Sequence, residues 1–65
     1  MTVYFKFKSG KVTELHNVDD IDLDGDIIYV YMENGTIKRY HSCYVKYFTI
    51  EYSPGQRYIF SPDYE

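Results

Sequence analysis

Each of the four glycines in this chain of 65 residues follows a residue common in tight turns: Ser9-Gly10, Asp24-Gly25, Asn34-Gly35 and Pro54-Gly55. Glycine reaches the positive φ that hairpin turns demand, and Asn-Gly is the strongest short hairpin signal a sequence offers. Between these turns lie short runs of Val, Ile, Tyr and Phe, residues that fit a pleated, half-buried surface. Such punctuation commits the chain to β-hairpins.

The runs can be read off in order. "VYFKF" and "KVTEL" flank Ser9-Gly10, "IIYVYM" and "TIKRYH" flank Asn34-Gly35, and Asp24-Gly25 links a strand around Ile21 to Leu23 with "IIYVYM". "YVKYFTIEY" alternates as a half-buried strand does, ending near Tyr52, and "RYIF" follows the Pro54-Gly55 turn before Pro62 stops it. The helix formers are scarce: Ala is absent and Leu occurs only at positions 15 and 23. The expectation is a single all-β domain over residues 1–65, an antiparallel meander of five to seven short strands. Residues 1–52 form the main sheet and 53–65 an edge strand or C-terminal arm. Because a flat sheet would leave one apolar face wet, the sheet must curl, form a small partly open barrel or pair with a second subunit.

The pattern repeats. Sliding the chain by 25 residues lays Val3, Tyr4, Phe5, Gly10, Val12 and His16 on Ile28, Tyr29, Val30, Gly35, Ile37 and His41. After two further inserted residues, Val18, Ile21 and Leu23 fall on Val45, Phe48 and Ile50. This is a hairpin-plus-strand pseudo-repeat. The expected core is Val3, Phe5, Phe7, Leu15, Ile21, Leu23, Ile28, Val30, Ile37, Val45, Phe48 and Ile50. The register at Asn34-Gly35 stays open: a two-residue turn opposes Glu33 to Thr36, whereas a bulged turn shifts every pair by one and swaps the faces.

A chain of this size buries only about 60% of the surface its unfolded form exposes, so its core is thin. The single cysteine, Cys43, excludes an internal disulfide. A lone thiol and the lack of a signal-like N-terminus favour a cytoplasmic location, and no apolar run is long enough to span a membrane. The net charge of -3 argues against an ordinary basic duplex-DNA binder.

Five of the ten acidic residues fall in one stretch: Asp19, Asp20, Asp22, Asp24 and Asp26. Asp20, Asp22, Asp24 and Gly25 match positions 1, 3, 5 and 6 of a helix-loop-helix calcium loop. The match then fails, because position 12 is Tyr31 where a bidentate Glu is needed, and both flanks read as strand. Alternation with Ile21 and Leu23 places the carboxylates on the outer face of a strand. His16, His41 and Cys43 lack a fourth ligand for zinc and carry no orienting signature for a catalytic dyad. No cofactor, metal or enzymatic activity is expected.

The tyrosines carry more. Tyr29 and Tyr31 share one strand face by alternation, with Lys38 or Arg39 and Tyr40 across the second hairpin. Tyr and Arg are enriched in protein interfaces; exposed Tyr beside cations also stacks on unpaired bases. Tyr29, Tyr31, Tyr40, Lys38 and Arg39, with the five aspartates, are the candidate partner-binding residues.

In style, the "VYFKFKSGKVTEL" opening, the "DLDGDIIYVYMENGTIKRY" hairpins and the bias towards Tyr, Lys, Asp, Asn and Ile resemble small β-rich proteins of bacteriophages and mobile elements of low-GC Gram-positive bacteria. Some of those proteins, anti-CRISPR proteins among them, inhibit host defence by stoichiometric binding. The resemblance implies a protein-protein interaction module that blocks a host protein. A single-stranded nucleic-acid binder and a homo-oligomeric structural subunit, such as a homodimer, are the alternatives.

Overall fold

The glycine turns fix the register of the chain. At Asn34-Gly35, Met32 N–H donates to the Thr36 carbonyl and Gly35 N–H to the Met32 carbonyl, with Gly35 at φ +92°. This is a three-residue loop closed by a glycine bulge, the second of the two registers the sequence allows. The first turn is its copy: Phe7 N–H donates to Lys11, Gly10 N–H donates to Phe7, and Gly10 sits at φ +100°. Asp24-Gly25 is the exception. Asp24 still pairs with Ile27, so the two loop residues are Gly25 and Asp26, one position later than the sequence suggests.

The computed structural model describes residues 1–61, among which seven strands form. They are β1 (Thr2–Phe7), β2 (Val12–Leu15), β3 (Val18–Asp24), β4 (Ile27–Met32), β5 (Ile37–His41), β6 (Val45–Ser53) and β7 (Gln56–Phe60), with one 3-10 turn at Ser42–Tyr44 before β6. The expected arm at 53–65 thus contains the edge strand β7; its last residues, with the expected stop at Pro62, lie outside the described residues.

All pairing is antiparallel. One sheet, A, has the order β2-β1-β6-β7, and the other, B, the order β3-β4-β5; they share one core and do not close into a barrel. β1–β2, β3–β4, β4–β5 and β6–β7 pair as hairpins, while β6 returns to β1. The short linker at 16–17 carries the chain from sheet A to sheet B, and residues 42–44 carry it back.

The repeat seen in the sequence extends to the register. Val3↔Leu15, Tyr4↔Glu14, Phe5↔Thr13 and Lys6↔Val12 in the first hairpin become Ile28↔Tyr40, Tyr29↔Arg39, Val30↔Lys38 and Tyr31↔Ile37 in the second. Val3↔Ile50, Phe5↔Phe48 and Phe7↔Val45 become Ile28↔Leu23, Val30↔Ile21 and Met32↔Val18. Even the bulge recurs, skipping Lys46 on β6 and Asp19 on β3. Each half therefore gives its third strand to the other half's sheet, an interlocked pair with approximate two-fold connectivity. The two inserted residues, Ser42 and Cys43, form most of the 3-10 turn; the shorter first linker instead turns at Asn17, which adopts φ +60°.

The core follows from this register. Val3, Phe5, Leu15, Val18, Ile28, Val30, Val45, Phe48 and Ile50 are buried, and Phe7, Ile21, Met32 and Tyr40 pack against them. Eight of these nine were expected, and Val18 is the addition. Two expected core residues are exposed. Ile37 is 41% exposed because the bulged turn pairs it with Tyr31 on the outer face. Tyr40, three residues further along β5, turns inward instead, its ring 4.6 Å from that of Phe5. Leu23 is 55% exposed for a different reason: its strand is the last in sheet B.

Candidate functional site

The outer face of sheet B is assembled row by row from three strands. Asp22, Tyr29 and Arg39 are consecutive cross-strand partners, as are Asp20, Tyr31 and Ile37, and Asp24, Ile27 and His41. Direct cross-strand partners share a face, so these residues form one patch. Tyr29 and Tyr31 stack with ring centroids 6.5 Å apart, and the Arg39 guanidinium lies 5.7 Å from the Tyr29 centroid. A cation over a tyrosine face is held by the ring quadrupole and also stiffens a long side chain. The patch therefore has a semi-rigid aromatic centre with aspartates along one side.

The proposed binding residues divide into two groups. Tyr29, Tyr31 and Arg39 come together with Asp20, Asp22 and Asp24. Lys38 and Tyr40 do not join them: they pair with Val30 and Ile28 and so lie on the opposite face of β5. Tyr40 is half-buried between the sheets, and burial raises its phenol above the ordinary tyrosine range. Asp19 occupies the β3 bulge, and Asp26 lies in the β3–β4 turn, where its carbonyl accepts the Ser42 N–H at 2.8 Å. Ile27, Ile37 and His41 belong to the patch and were not foreseen, because their place on it depends on the turn registers.

The aspartate spacing resolves as strand geometry. β3 and β4 flank the turn, where a calcium loop requires helices, and Asp20 uses its carboxylate Oδ1 to accept the Ile21 N–H at 2.8 Å. Among the described residues, the ion pairs of Glu14 with His16 and of Glu51 with Arg57 involve none of these aspartates. Among the described residues no three His, Cys, Asp or Glu side chains gather where a metal could sit. His16 lies beside Glu14 and Thr2, whereas His41 meets Tyr44 edge-on and Cys43 is exposed.

The corresponding face of sheet A is built differently. Tyr4, the counterpart of Tyr29, donates its hydroxyl to Glu51 Oε1 at 3.1 Å and lies under Arg57, 5.4 Å from its centroid. Desolvation, then the hydrogen bond and the charge of Glu51, hold this phenol above the ordinary range. Arg57 Nε completes the cluster with Glu51 Oε2 at 3.2 Å. On sheet A the aromatic, acid and cation satisfy one another; on sheet B Asp24, the counterpart of Glu51, has no such cation among the described residues.

An open cleft of about 470 Å³ lies at the first turn, lined by Phe7, Lys8, Ser9, Lys11, Thr13, Tyr40 and Tyr44. A second, of about 320 Å³, opens between the sheets beside β3 and is lined by Ile21, Asp22, Leu23, Phe48, Ile50, Tyr52 and Phe60. No helix among the described residues is long and apolar enough to cross a membrane. No family model, curated protein or solved structure matches the chain.

Proposed function

We propose that the chain is a non-enzymatic, cytoplasmic protein-interaction module that engages a partner protein through the outer face and acidic edge of sheet B. The observation that carries this reading is the stacked Tyr29–Tyr31 pair, with Arg39 over Tyr29 and with Asp20 and Asp22 as cross-strand partners. Aromatic and Arg anchors of this kind supply most of the energy of protein interfaces, and the adjacent carboxylates select a cationic partner surface. In keeping with the resemblance to small phage-type proteins, the partner is a host protein that the module blocks by occupying its surface.

The Arg39–Tyr29 stack also favours a second reading, single-stranded nucleic-acid binding by base stacking. It ranks lower, because phosphates following the stacked bases would meet Asp20, Asp22 and Asp24 on the same face.

The test is site-specific photocrosslinking in a lysate of a low-GC Gram-positive bacterium. A photoreactive residue in place of Tyr31 should capture a discrete protein, one in place of Tyr47 on sheet A should not, and Asp22→Asn with Asp24→Asn should weaken the capture. Capture from position 47 alone contradicts the reading.

A further inference from the structure

The two halves of the fold match in every strand pairing except one. β6 is flanked by β1 and β7, whereas its counterpart β3 pairs only with β4, and no described strand lies beyond it. We infer that the outer edge of β3 is a docking edge for an extended segment of the partner protein, added antiparallel, with cationic and aromatic residues alternating. The inference rests on the protein-interaction reading above and specifies its chemistry.

Main-chain geometry identifies the docking groups. Met32 N–H donates to Thr36, so alternate β4 residues Met32, Val30 and Ile28 turn their main-chain groups towards β5. Their partners Val18, Ile21 and Leu23 then point N–H and C=O away from β4. Val18 is already taken, exchanging hydrogen bonds of 2.9 Å with Met1 in both directions. The Ile21 N–H is covered locally by Asp20 Oδ1. That leaves the Ile21 carbonyl and both groups of Leu23 facing outwards. The same reasoning on β6 selects Phe48 and Ile50, the counterparts of Ile21 and Leu23, and these are the residues that β7 meets through Phe60 and Tyr58.

β7 therefore serves as an internal template for the missing neighbour. It sets Phe60 beside Phe48, with rings 5.3 Å apart, Tyr58 opposite Ile50 and Arg57 opposite Glu51. Transferred to β3, aromatic residues would stand opposite Ile21 and Leu23 and enter the cleft that these two share with Phe48, Ile50 and Phe60. Cations would stand opposite Asp24, where the template has Arg57, and opposite Asp22. The charge pattern also selects against a second copy of this chain: two β3 strands side by side would bring their aspartates together, and like charges across a pair repel.

The probe is a synthetic peptide reading Arg-Tyr-Lys-Phe-Lys between neutral caps, titrated into the isotopically labelled full chain and followed by amide NMR. The expected result is saturable shifts and slowed exchange at Leu23 and its neighbours on β3, with the β2 and β5 edges unchanged. Methylating the main-chain nitrogens of the Tyr and Phe, which preserves peptide charge, should weaken binding by at least about tenfold. Equal binding of the methylated peptide, or shifts confined to Tyr29, Tyr31 and Arg39, overturns strand addition but leaves the face-binding module standing. Tighter binding of a single-stranded oligonucleotide at β3, or self-pairing of β3 without peptide, overturns it as well. An edge that binds the peptide while photocrosslinking at position 31 captures no protein separates the two claims in the other direction, supporting strand addition.

Discussion

Leu23 and Ile50 hold corresponding positions in the two halves, opposite Ile28 and Val3, yet Leu23 is 55% exposed and Ile50 only 3%. The difference follows from β7, which covers one position and has no counterpart at the other among the described residues. Truncation should reveal it. Ile50→Ala should cost about 2–5 kcal/mol, as large-to-small changes in packed cores do, and Leu23→Ala about 0.5–1 kcal/mol. Denaturant unfolding of the two variants checks this, and equal losses would show that the halves are equally covered.

The paired turns should respond alike. Gly10 and Gly35 sit at φ +100° and +92° in the same bulged loop. An L side chain in this left-handed region is strained, so Gly10→Ala and Gly35→Ala should each cost about 1–2 kcal/mol. Open space around both positions leaves backbone strain as the cause. Thermal melts of the two variants would expose any inequality.

Alkaline pH should weaken the fold through Tyr40. Burial favours its neutral phenol, which raises the folded pKa above the ordinary value of 10.0. The folded chain then keeps a proton that the unfolded chain loses. The resulting contribution to stability is fully present below that value and disappears as pH rises through the folded pKa. Tyr40→Phe removes the titration, so its melting temperature should fall less steeply above pH 10 than that of the parent. Parallel melts and tyrosinate absorbance titrations measure both quantities.

The sheet A cluster should contribute little to stability. Arg57 is largely exposed in its pair with Glu51, so Arg57→Ala should cost less than about 1 kcal/mol and lose that effect in high salt. A salt series of melts decides it.

Much of this fold was legible in the sequence because turn chemistry and alternation are local. The Gly turns and the apolar runs marked the seven strands, and the offset copy of Val3, Tyr4 and Phe5 at Ile28, Tyr29 and Val30 marked the two halves. What stayed hidden depended on a single-residue choice. The bulge at Asn34-Gly35 sends Ile37 outwards and Tyr40 inwards, and both registers suit the same residues. That one step also separates Tyr40 and Lys38 from Tyr29 and Tyr31 in the candidate site. The exposure of Leu23 was hidden differently, since it depends on a strand absent from one half. The signal was nonetheless present: "QRYIF" comes after both copies are complete, as a strand run beyond the repeat.

Among the described residues, β3 has an open outer edge where β6 has a closed one. Residue-resolved amide hydrogen exchange on the free chain measures this directly. The Ile50 amide, facing β7, should exchange only through large-scale unfolding, and the Leu23 amide, facing outwards, should exchange almost unprotected. Comparable protection at the two positions would mean that β3 is already paired, which contradicts the account.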